Sequence, residues 1–427
     1  MTSSAISVPP YLSWFSMDRL RAFLVAMIFI SSFYVKFEPA PPDLFFLIAF
    51  LACIGGGLRF SPAIFPLFLM LLIYNLACLV SWLLVPYDVL EGEQFLIGLA
   101  YTTASGFFFA AYLSADPMPR YRLIIKAYWI GATIGAILGL YSYIVPFNTL
   151  LPAFGGRALG GYKDPNVYST WLVLPAVTLL QALVIGTVKP RLITVLSCLA
   201  IFAALFLAFS RGAWINAIVA TAITVTLSFA LSPSQQLRLR VISASVLGVI
   251  ACAVGLIILL SIPQTRDLFL DRFTLVKNYD AGETGRFGNQ LNSIPMLMGL
   301  PFGFGPYQFG GIFGLAPHNT FLNSFASGGW VGGVVFLLFT LSNFIIGFKT
   351  IVVRSPFQPQ SIAVFACLIG VTIQGIQIDM EHWRHFYWMT GILWGFFAAT
   401  YDYGRRPATP AEIAEAWNSP VARGASR

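Results

Sequence analysis

From residue 20 to residue 401 the chain is an almost unbroken series of apolar runs separated by short hydrophilic breaks. Apolar residues make up 58% of the 427 positions, and charged residues only 10%. About 20 apolar residues cross the hydrocarbon core of a bilayer, where a backbone has to satisfy its own hydrogen bonds. The runs lack the residue-by-residue alternation of a membrane β-barrel. The sequence therefore predicts an all-α, polytopic integral membrane protein.

The hydrophilic breaks divide this region into about twelve predicted transmembrane helices. They cover residues 20–35, 44–57, 63–85, 95–113, 123–145, 168–188, 192–209, 213–231, 241–262, 321–348, 361–378 and 386–401. The predicted organisation is helices one to nine in 1–262, a helical outer loop region in 263–320, helices ten to twelve in 321–401 and a cytoplasmic tail in 402–427. The tail is polar and rich in proline and alanine, so we expect it to be disordered.

The basic residues set the orientation, because Lys and Arg collect in cytoplasmic loops. With the N-terminus inside, sixteen of the 25 Lys and Arg lie on the cytoplasmic side, so both termini are predicted to be cytoplasmic. This asymmetry accounts for the net charge of +8 without a nucleic-acid partner. The two long loops, 146–166 and 263–320, then face outward, and we expect the chemistry on that side.

Ser210-Arg211-Gly212 forms a tight turn between the seventh and eighth predicted spans, at their outer ends. An arginine between two apolar runs is costly unless it has a partner or extends to the headgroups. Snorkelling to the outer headgroups is one explanation for Arg211. An anionic ligand explains the tight turn better, and it makes Ser210 and Arg211 candidate ligand contacts.

The longer outer loop contains two predicted helices. Residues 265–276 have the apolar spacing of an amphipathic helix on the membrane surface, and a second helix carries Arg286 in its first turn. The glycine-rich stretch 303–311 is predicted to lack regular structure and to bend around another part of the molecule.

His318 and Asn319 precede the next predicted transmembrane helix. The first turn of a helix offers free N–H groups to an anion. The same field disfavours an imidazolium, so a neutral His318 is a candidate base. The alternative is a capping Asn beside an incidental interfacial His.

Two basic residues, Arg157 and Lys163, lie in the other long loop. They precede Asp164-Pro165-Asn166, which is predicted to cap the sixth span. Taken alone, both basic residues are consistent with ordinary loop positions.

The last outer loop, 379–385, is dense in titratable groups and includes Arg384. Glu381, His382 and His385 have a spacing compatible with zinc. A base, a metal site and a solvated or stacking loop are the alternatives, and we favour the solvated or stacking loop.

Several of these segments together resemble the O-antigen ligase and polymerase superfamily of bacterial membrane glycosyltransferases. The matching segments are 207–214 (LAFSRGAW), Gly285-Arg286 before a helix, the glycine-rich 303–311 loop, 317–322 (PHNTFL) and an upstream loop from Arg157 to Asn166. The order of the motifs also matches, over about residues 150–345. The resemblance implies a GT-C-like membrane fold whose 263–320 region is periplasmic.

The resemblance further implies glycan transfer from undecaprenyl pyrophosphate to a hydroxyl of lipid A-core, at the periplasmic face of the bacterial inner membrane. Arg211 and Arg286 would hold the pyrophosphate, and His318 would deprotonate or orient the acceptor hydroxyl for inversion at the anomeric carbon. The candidate substrate contacts are Arg157, Lys163, Ser210, Asn319 and Arg384. The expected partners are the donor, the acceptor and membrane lipid. No metal or cofactor is expected, since neither Arg211 nor His318 has an acidic neighbour in sequence.

Two departures from the family pattern bear on the reaction. Family members often place Glu-x-Gly soon after the His-Asn pair, where this chain has 326–330 (ASGGW). Some polymerases carry, in each outer loop, an Arg that is separated by ten residues from a Gly. Neither Arg157 nor Arg286 is followed by a Gly at that spacing, which favours a ligase. A polymerase of the same superfamily is the first alternative. A lipid-linked oligosaccharide transporter is the second, although the polar motifs lie on one face only.

Overall fold

The computed structural model describes residues 16–85, 89–146, 154–273, 282, 285–406 and 408–418. Sixteen α-helices occupy these ranges: α1 Met17–Ser31, α2 Pro41–Gly55, α3 Phe65–Leu84, α4 Val89–Ala115, α5 Pro117–Ile144, α6 Pro165–Ile185, α7 Leu192–Leu207, α8 Arg211–Ala230, α9 Gln235–Leu260, α10 Pro263–Phe273, α11 Arg286–Met298, α12 Gln308–Phe313, α13 Thr320–Val352, α14 Gln358–Gln374, α15 Arg384–Arg405 and α16 Pro410–Asn418. Within the described ranges the only extended pairing is two isolated β-bridges.

The all-α prediction is therefore confirmed for the described residues. Among the described residues, seven helices are long and apolar enough to cross a membrane. They are α3 with the 3₁₀ turn before it, α4, α5, α6, α8, α9 and α13. Shorter apolar helices are α2, α7 and α14. Each of the twelve predicted spans falls on one helix, while the count of twelve crossings stays a prediction.

Aromatic side chains fill the centre of the helix bundle. Phe29 of α1 contacts Phe109 of α4 and Trp388 of α15, with ring centroids 5.1 and 5.0 Å apart. Tyr128 of α5 lies 5.5 Å from the same phenylalanine and 5.6 Å from Trp171 of α6. Tilted and edge-to-face pairs of this kind are favourable arrangements for aromatic rings. They fix α1, α4, α5, α6 and α15 against one another.

The glycine-rich stretch bends around a break in α13. Gly329 there has φ 62° and ψ −161°, and a Cβ at that position would lie 2.2 Å from the carbonyl oxygen of Pro301. The break leaves the carbonyl oxygen of Ala326 to accept the N–H groups of Phe304 and Gly305, at 2.7 and 3.1 Å. The predicted bend is confirmed, but the predicted lack of regular structure is wrong in part, because the helix α12 begins at Gln308.

The described part of the tail, 402–406 and 408–418, also differs from its prediction, and 419–427 lie outside the described residues. Helix α15 continues to Arg405, and α16 packs on the bundle with Trp417 buried. Thr409 and Glu412 form a capping box at its start, in which each side chain accepts the backbone N–H of the other. The prediction weighed composition and overlooked this local signal.

Basic side chains tie together helix ends at one end of the bundle. Arg21 of α1 donates from Nε to the carbonyl oxygen of Ala52 near the end of α2, at 2.9 Å. Arg240 of α9 donates to the carbonyl oxygen of Ile185 at the end of α6, at 3.4 Å. The candidate site lies at the opposite end.

Candidate functional site

A cavity of about 730 Å³ lies at the end of the bundle opposite those basic residues. Its wall comes from the segments that follow α1, α5, α7 and α14 and from those that precede α6, α8, α13 and α15. Seven of the eight predicted site residues line it: Arg157, Lys163, Ser210, Arg211, Arg286, His318 and Arg384. The eighth, Asn319, is the N-cap of α13, where its Oδ1 accepts the N–H of Leu322 at 3.1 Å.

The wall is positively charged. Among the described residues, six Lys or Arg side chains line the cavity against three Asp or Glu side chains, and three histidines lie among them. Clefts with one sign of charge and low-dielectric walls concentrate counter-ions. The cavity therefore suits an anionic ligand.

Arg211 is held at the cavity by a short, well-defined turn between α7 and α8. Phe209 adopts a positive φ of 48°, and Ser210 caps α8 by accepting the N–H of Ala213 at 3.4 Å. Arg211 is the first residue of the 20-residue helix α8, so its guanidinium adds to the positive end of that helix dipole.

A polar network below this turn fixes α8. Asn216 donates to Oε1 of Gln374 in α14 at 2.9 Å, and Gln374 donates to the hydroxyl of Thr170 in α6 at 2.7 Å. Gly370 allows the close approach, because a Cβ there would lie 2.2 Å from Oδ1 of Asn216. The buried amides thus lock three helices beneath Arg211.

Arg157 is buried and connects two of the segments that form the wall. Its Nε donates to the carbonyl oxygen of Ala208 at 2.7 Å, and one terminal nitrogen donates to Oδ1 of Asn166 at 2.9 Å. These bonds tie the 154–164 loop to the α7–α8 turn. Asp164 caps α6 as predicted, with Oδ1 accepting the N–H of Asn166 at 2.7 Å.

The two helices of the longer loop bring further arginines to the cavity. The predicted amphipathic helix corresponds to α10 as far as Phe273, while 274–276 lie outside the described residues. Phe269 of α10 packs on Trp214 with a centroid distance of 5.7 Å. This contact places Arg272 in the wall, a residue that the sequence analysis missed. The predicted second helix is α11, which begins at Arg286. Its Gln290 donates to the carbonyl oxygen of Pro317, next to His318, at 2.7 Å.

Asp379 is the main residue that the sequence analysis missed. Its two carboxylate oxygens accept the backbone N–H groups of His318 and Asn319, at 3.1 and 2.9 Å. The Nδ1 atom of His318 lies 3.9 Å from the same carboxylate, whose side chain is 12% exposed. An acid beside an imidazole orients the ring and stabilises its protonated form. His318 has a φ of 47°, which favours Gly or Asn, so this segment is held against a local preference.

Positive φ marks the cavity wall more generally. Among the described residues other than glycine it occurs at Phe209, Tyr307 and His318, and all three line the cavity. Each such residue costs roughly 1–3 kcal/mol. The contacts around the wall therefore hold it in a preset shape.

For the glycan transfer that the family resemblance implies, we expect the rate to fall as the pH drops below about 7, because burial and the charge of Glu381 raise the pKa of Asp379 to about 7. Below that pH the carboxyl is protonated and no longer stabilises a charged His318. Asp379→Asn should reduce transfer at least about tenfold at pH 8 and flatten the acid side of the profile. Transfer rates from pH 5 to 9 test this, with Asp267→Asn, exposed on α10, as the matched control. An Asp379→Asn profile equal to the wild type would contradict it.

Lys163 and Arg384 have acidic partners. The ammonium of Lys163 lies 3.3 Å from Glu38, and both side chains are more than half exposed. Arg384 forms a two-point hydrogen-bonded pair with Asp43 of α2, at 2.7 and 2.8 Å. This pair joins α15 to α2 across the bundle, so Arg384 has a positioning role besides any contact with a ligand.

The 379–385 loop is not the solvated loop that we favoured. Glu381, Trp383 and His385 are buried, and the rings of Trp383 and His385 lie 5.1 Å apart. The two rings are in contact with their planes tilted by 35°, and the predicted solvation is wrong because the loop folds inward between α13 and α15.

Residues 196–337 match the model of a family described as O-antigen ligase. No curated protein matches the chain significantly. The matched segment includes Arg211, Arg286 and His318, and the family implies a membrane glycosyltransferase-like activity of the ligase or polymerase type. The chain thus contains a segment that matches the O-antigen ligase family model, and the resemblance that its motifs predicted, to the O-antigen ligase and polymerase superfamily, is confirmed.

Proposed function

We propose that the protein is a ligase that transfers a glycan from undecaprenyl pyrophosphate to a hydroxyl of lipid A-core. The observation that carries the proposal is the convergence of Arg211, Arg286 and His318 in one cavity at a single end of the bundle. By the distribution of basic residues this end is the periplasmic side of the inner membrane, with both termini cytoplasmic.

The chemistry follows from these groups. The acceptor hydroxyl gives its proton to the imidazole of His318, and the acceptor oxygen bonds to the anomeric carbon from the face opposite the phosphate. The bond from that carbon to the phosphate oxygen breaks, and its electron pair leaves with undecaprenyl pyrophosphate. The anomeric configuration is inverted. Arg211 and Arg286 stabilise the growing negative charge, and each contact contributes about 2 to 4 kcal/mol in a dry site.

The acids in the cavity wall favour neutralisation of the pyrophosphate by arginine. Glu38 pairs with Lys163, Asp164 caps α6, and Asp379 accepts two backbone N–H groups. Each of these three carboxylates, the acids that line the cavity among the described residues, thus already has a partner with which a divalent ion would compete.

Helix α11 supports a lipid-linked donor. Arg286 at its start lies in the cavity wall, with its guanidinium 4.7 Å from the ring centroid of Phe287. Phe287, Leu291, Ile294 and Met298 form one exposed apolar stripe along the helix. A cation followed by an apolar stripe matches a phosphate headgroup followed by a polyprenyl chain.

The test is transfer by the purified protein in detergent, with undecaprenyl-pyrophosphate glycan and lipid A-core as substrates. We expect transfer to survive EDTA, because guanidinium groups remain charged without a metal. Loss of activity that magnesium or manganese restores would overturn the metal-independent mechanism.

The acceptor distinguishes the ligase from a polymerase. A ligase adds one glycan to lipid A-core, and it does so only when that acceptor is present. A ladder of lengthened lipid-linked glycans formed without lipid A-core would show instead that the protein is a polymerase.

A further inference from the structure

The buried Glu381 has no part in the mechanism above. Its side chain is fully buried, and Oε1 accepts a hydrogen bond from Nδ2 of Asn323 in α13. Within the described part of the chain, Oε2 is buried and accepts no hydrogen bond. The hydroxyl of Tyr387 donates to the backbone carbonyl oxygen of Glu381 at 2.7 Å, which fixes the loop. A carboxylate buried in this way is costly unless a nearby positive charge compensates it.

His382 is the compensating group. Its Nδ1 is buried and lies 3.6 Å from Oε1 of Glu381. The side chain is nevertheless 32% exposed and lines the cavity, and with Nδ1 buried the other ring nitrogen, Nε2, is the one left to meet a ligand there. The rings of Phe95 and Tyr307 stand at 6.3 and 6.1 Å in edge-to-face arrangements and limit rotation of the imidazole.

The charged groups around this ring favour its protonated form. They are Glu381 and Asp379 in the same loop and Arg384 at the start of α15, while Tyr307 is the titratable neighbour from the segment before α12. Burial and Arg384 lower the pKa of His382, but the two carboxylates outweigh them and raise it above its ordinary value. A protonated imidazole has an N–H on both nitrogens, so Nε2 can donate into the cavity.

We propose that His382 is a third cationic contact for the donor pyrophosphate, beside Arg211 and Arg286, and that Glu381 is the positioning residue that keeps His382 charged and oriented. This inference rests on the proposed function. During transfer the electron pair of the broken bond stays on the departing pyrophosphate, and Nε2 of His382 donates a hydrogen bond to it without losing its proton. The proton of the acceptor goes to His318, so the two histidines act on opposite partners of the reaction.

Binding of undecaprenyl pyrophosphate, without an acceptor, isolates this role. We measure its Kd with the purified full-length chain between pH 6 and pH 9. For the wild type, we expect the Kd to rise as the pH rises and His382 loses its proton. His382→Gln and Glu381→Gln should both bind about tenfold more weakly at pH 6, with a flatter pH dependence.

Two variants control for structural effects. His382→Arg keeps a cation and should bind with an affinity near that of the wild type at pH 6, and it should weaken less than the wild type toward pH 9. Glu93→Gln, exposed on α4 and outside the cavity wall, should match the wild type throughout. Melting temperatures identify any variant that fails to fold. If His382→Gln or Glu381→Gln does not fold, the pH dependence of the Kd of His382→Arg tests the inference.

The outcomes separate this inference from the proposed function. A His382→Gln variant with wild-type affinity that loses only turnover would place His382 on the acceptor and overturn the inference. Absence of any binding by the wild type would also overturn it. If the wild type binds with the expected pH profile but transfers no glycan, the proposed reaction fails while the pyrophosphate contact stands.

Discussion

His318→Ala is expected to lose transfer activity by about a hundredfold or more while it still binds the lipid-linked donor. The imidazole acts on the acceptor hydroxyl, and the arginines that hold the pyrophosphate are unchanged. The carboxylate of Asp379, 3.9 Å from Nδ1, stabilises the proton that the ring takes up. The measurement is single-turnover transfer together with donor Kd, for wild type and variant.

A second variant separates chemistry from folding at this position. The φ of 47° at His318 is unfavourable for Ala, whereas Asn tolerates it better. His318→Asn should therefore fold at least as well as His318→Ala and be equally slow. If either variant transfers glycan at the wild-type rate at neutral pH, the base lies elsewhere, and His382 and His385 become the next residues to test.

The elements that the sequence predicted are those governed by local physics. Apolar runs located the helices, because a backbone in lipid has to bond to itself. Asp164, Ser210 and Asn319 start α6, α8 and α13 as caps, since a side-chain oxygen at that position satisfies a free N–H group of the first turn. The polar and charged residues that the sequence singled out near helix starts include the seven that line one cavity.

The partners of these residues could not be predicted, because they come from distant parts of the chain. Asp379 is 61 residues from His318, and Asp43 is 341 residues from Arg384. The density of titratable groups in 379–385 was a visible signal. Composition alone does not tell a loop that folds inward from one that faces water, and only the packing between α13 and α15 decides it.

Arg157 illustrates the same limit. In the sequence it has the pattern of an ordinary loop residue. In the structure its guanidinium donates hydrogen bonds to the carbonyl oxygen of Ala208 and to the side chain of Asn166. These bonds fix the turn that carries Arg211. A residue can thus serve the site by shaping it, and the hydrogen-bond partners distinguish that role from direct contact with a ligand.

Arg211→Lys is expected to lower transfer about a hundredfold although the charge is kept. A guanidinium donates several N–H groups in one plane and grips two phosphate oxygens at once, whereas an ammonium is a flexible point charge. The loss of one preorganised donor to a developing oxyanion costs on the order of 10² to 10³ in rate. The N-terminus of α8 and the capping Ser210 do not change, so the long-range field of the site is preserved.

The matched control is Arg238→Lys, an exposed arginine at the opposite end of the bundle, which should transfer at the wild-type rate. Both proteins are compared in vesicles with the same lipid-linked donor, and rates are normalised to the amount of inserted protein. A lysine at position 211 with full activity would mean that the site needs only a positive charge there. The planar, bidentate hydrogen bond to two phosphate oxygens would then have to come from Arg286 of α11 or Arg272 of α10, which also line the cavity.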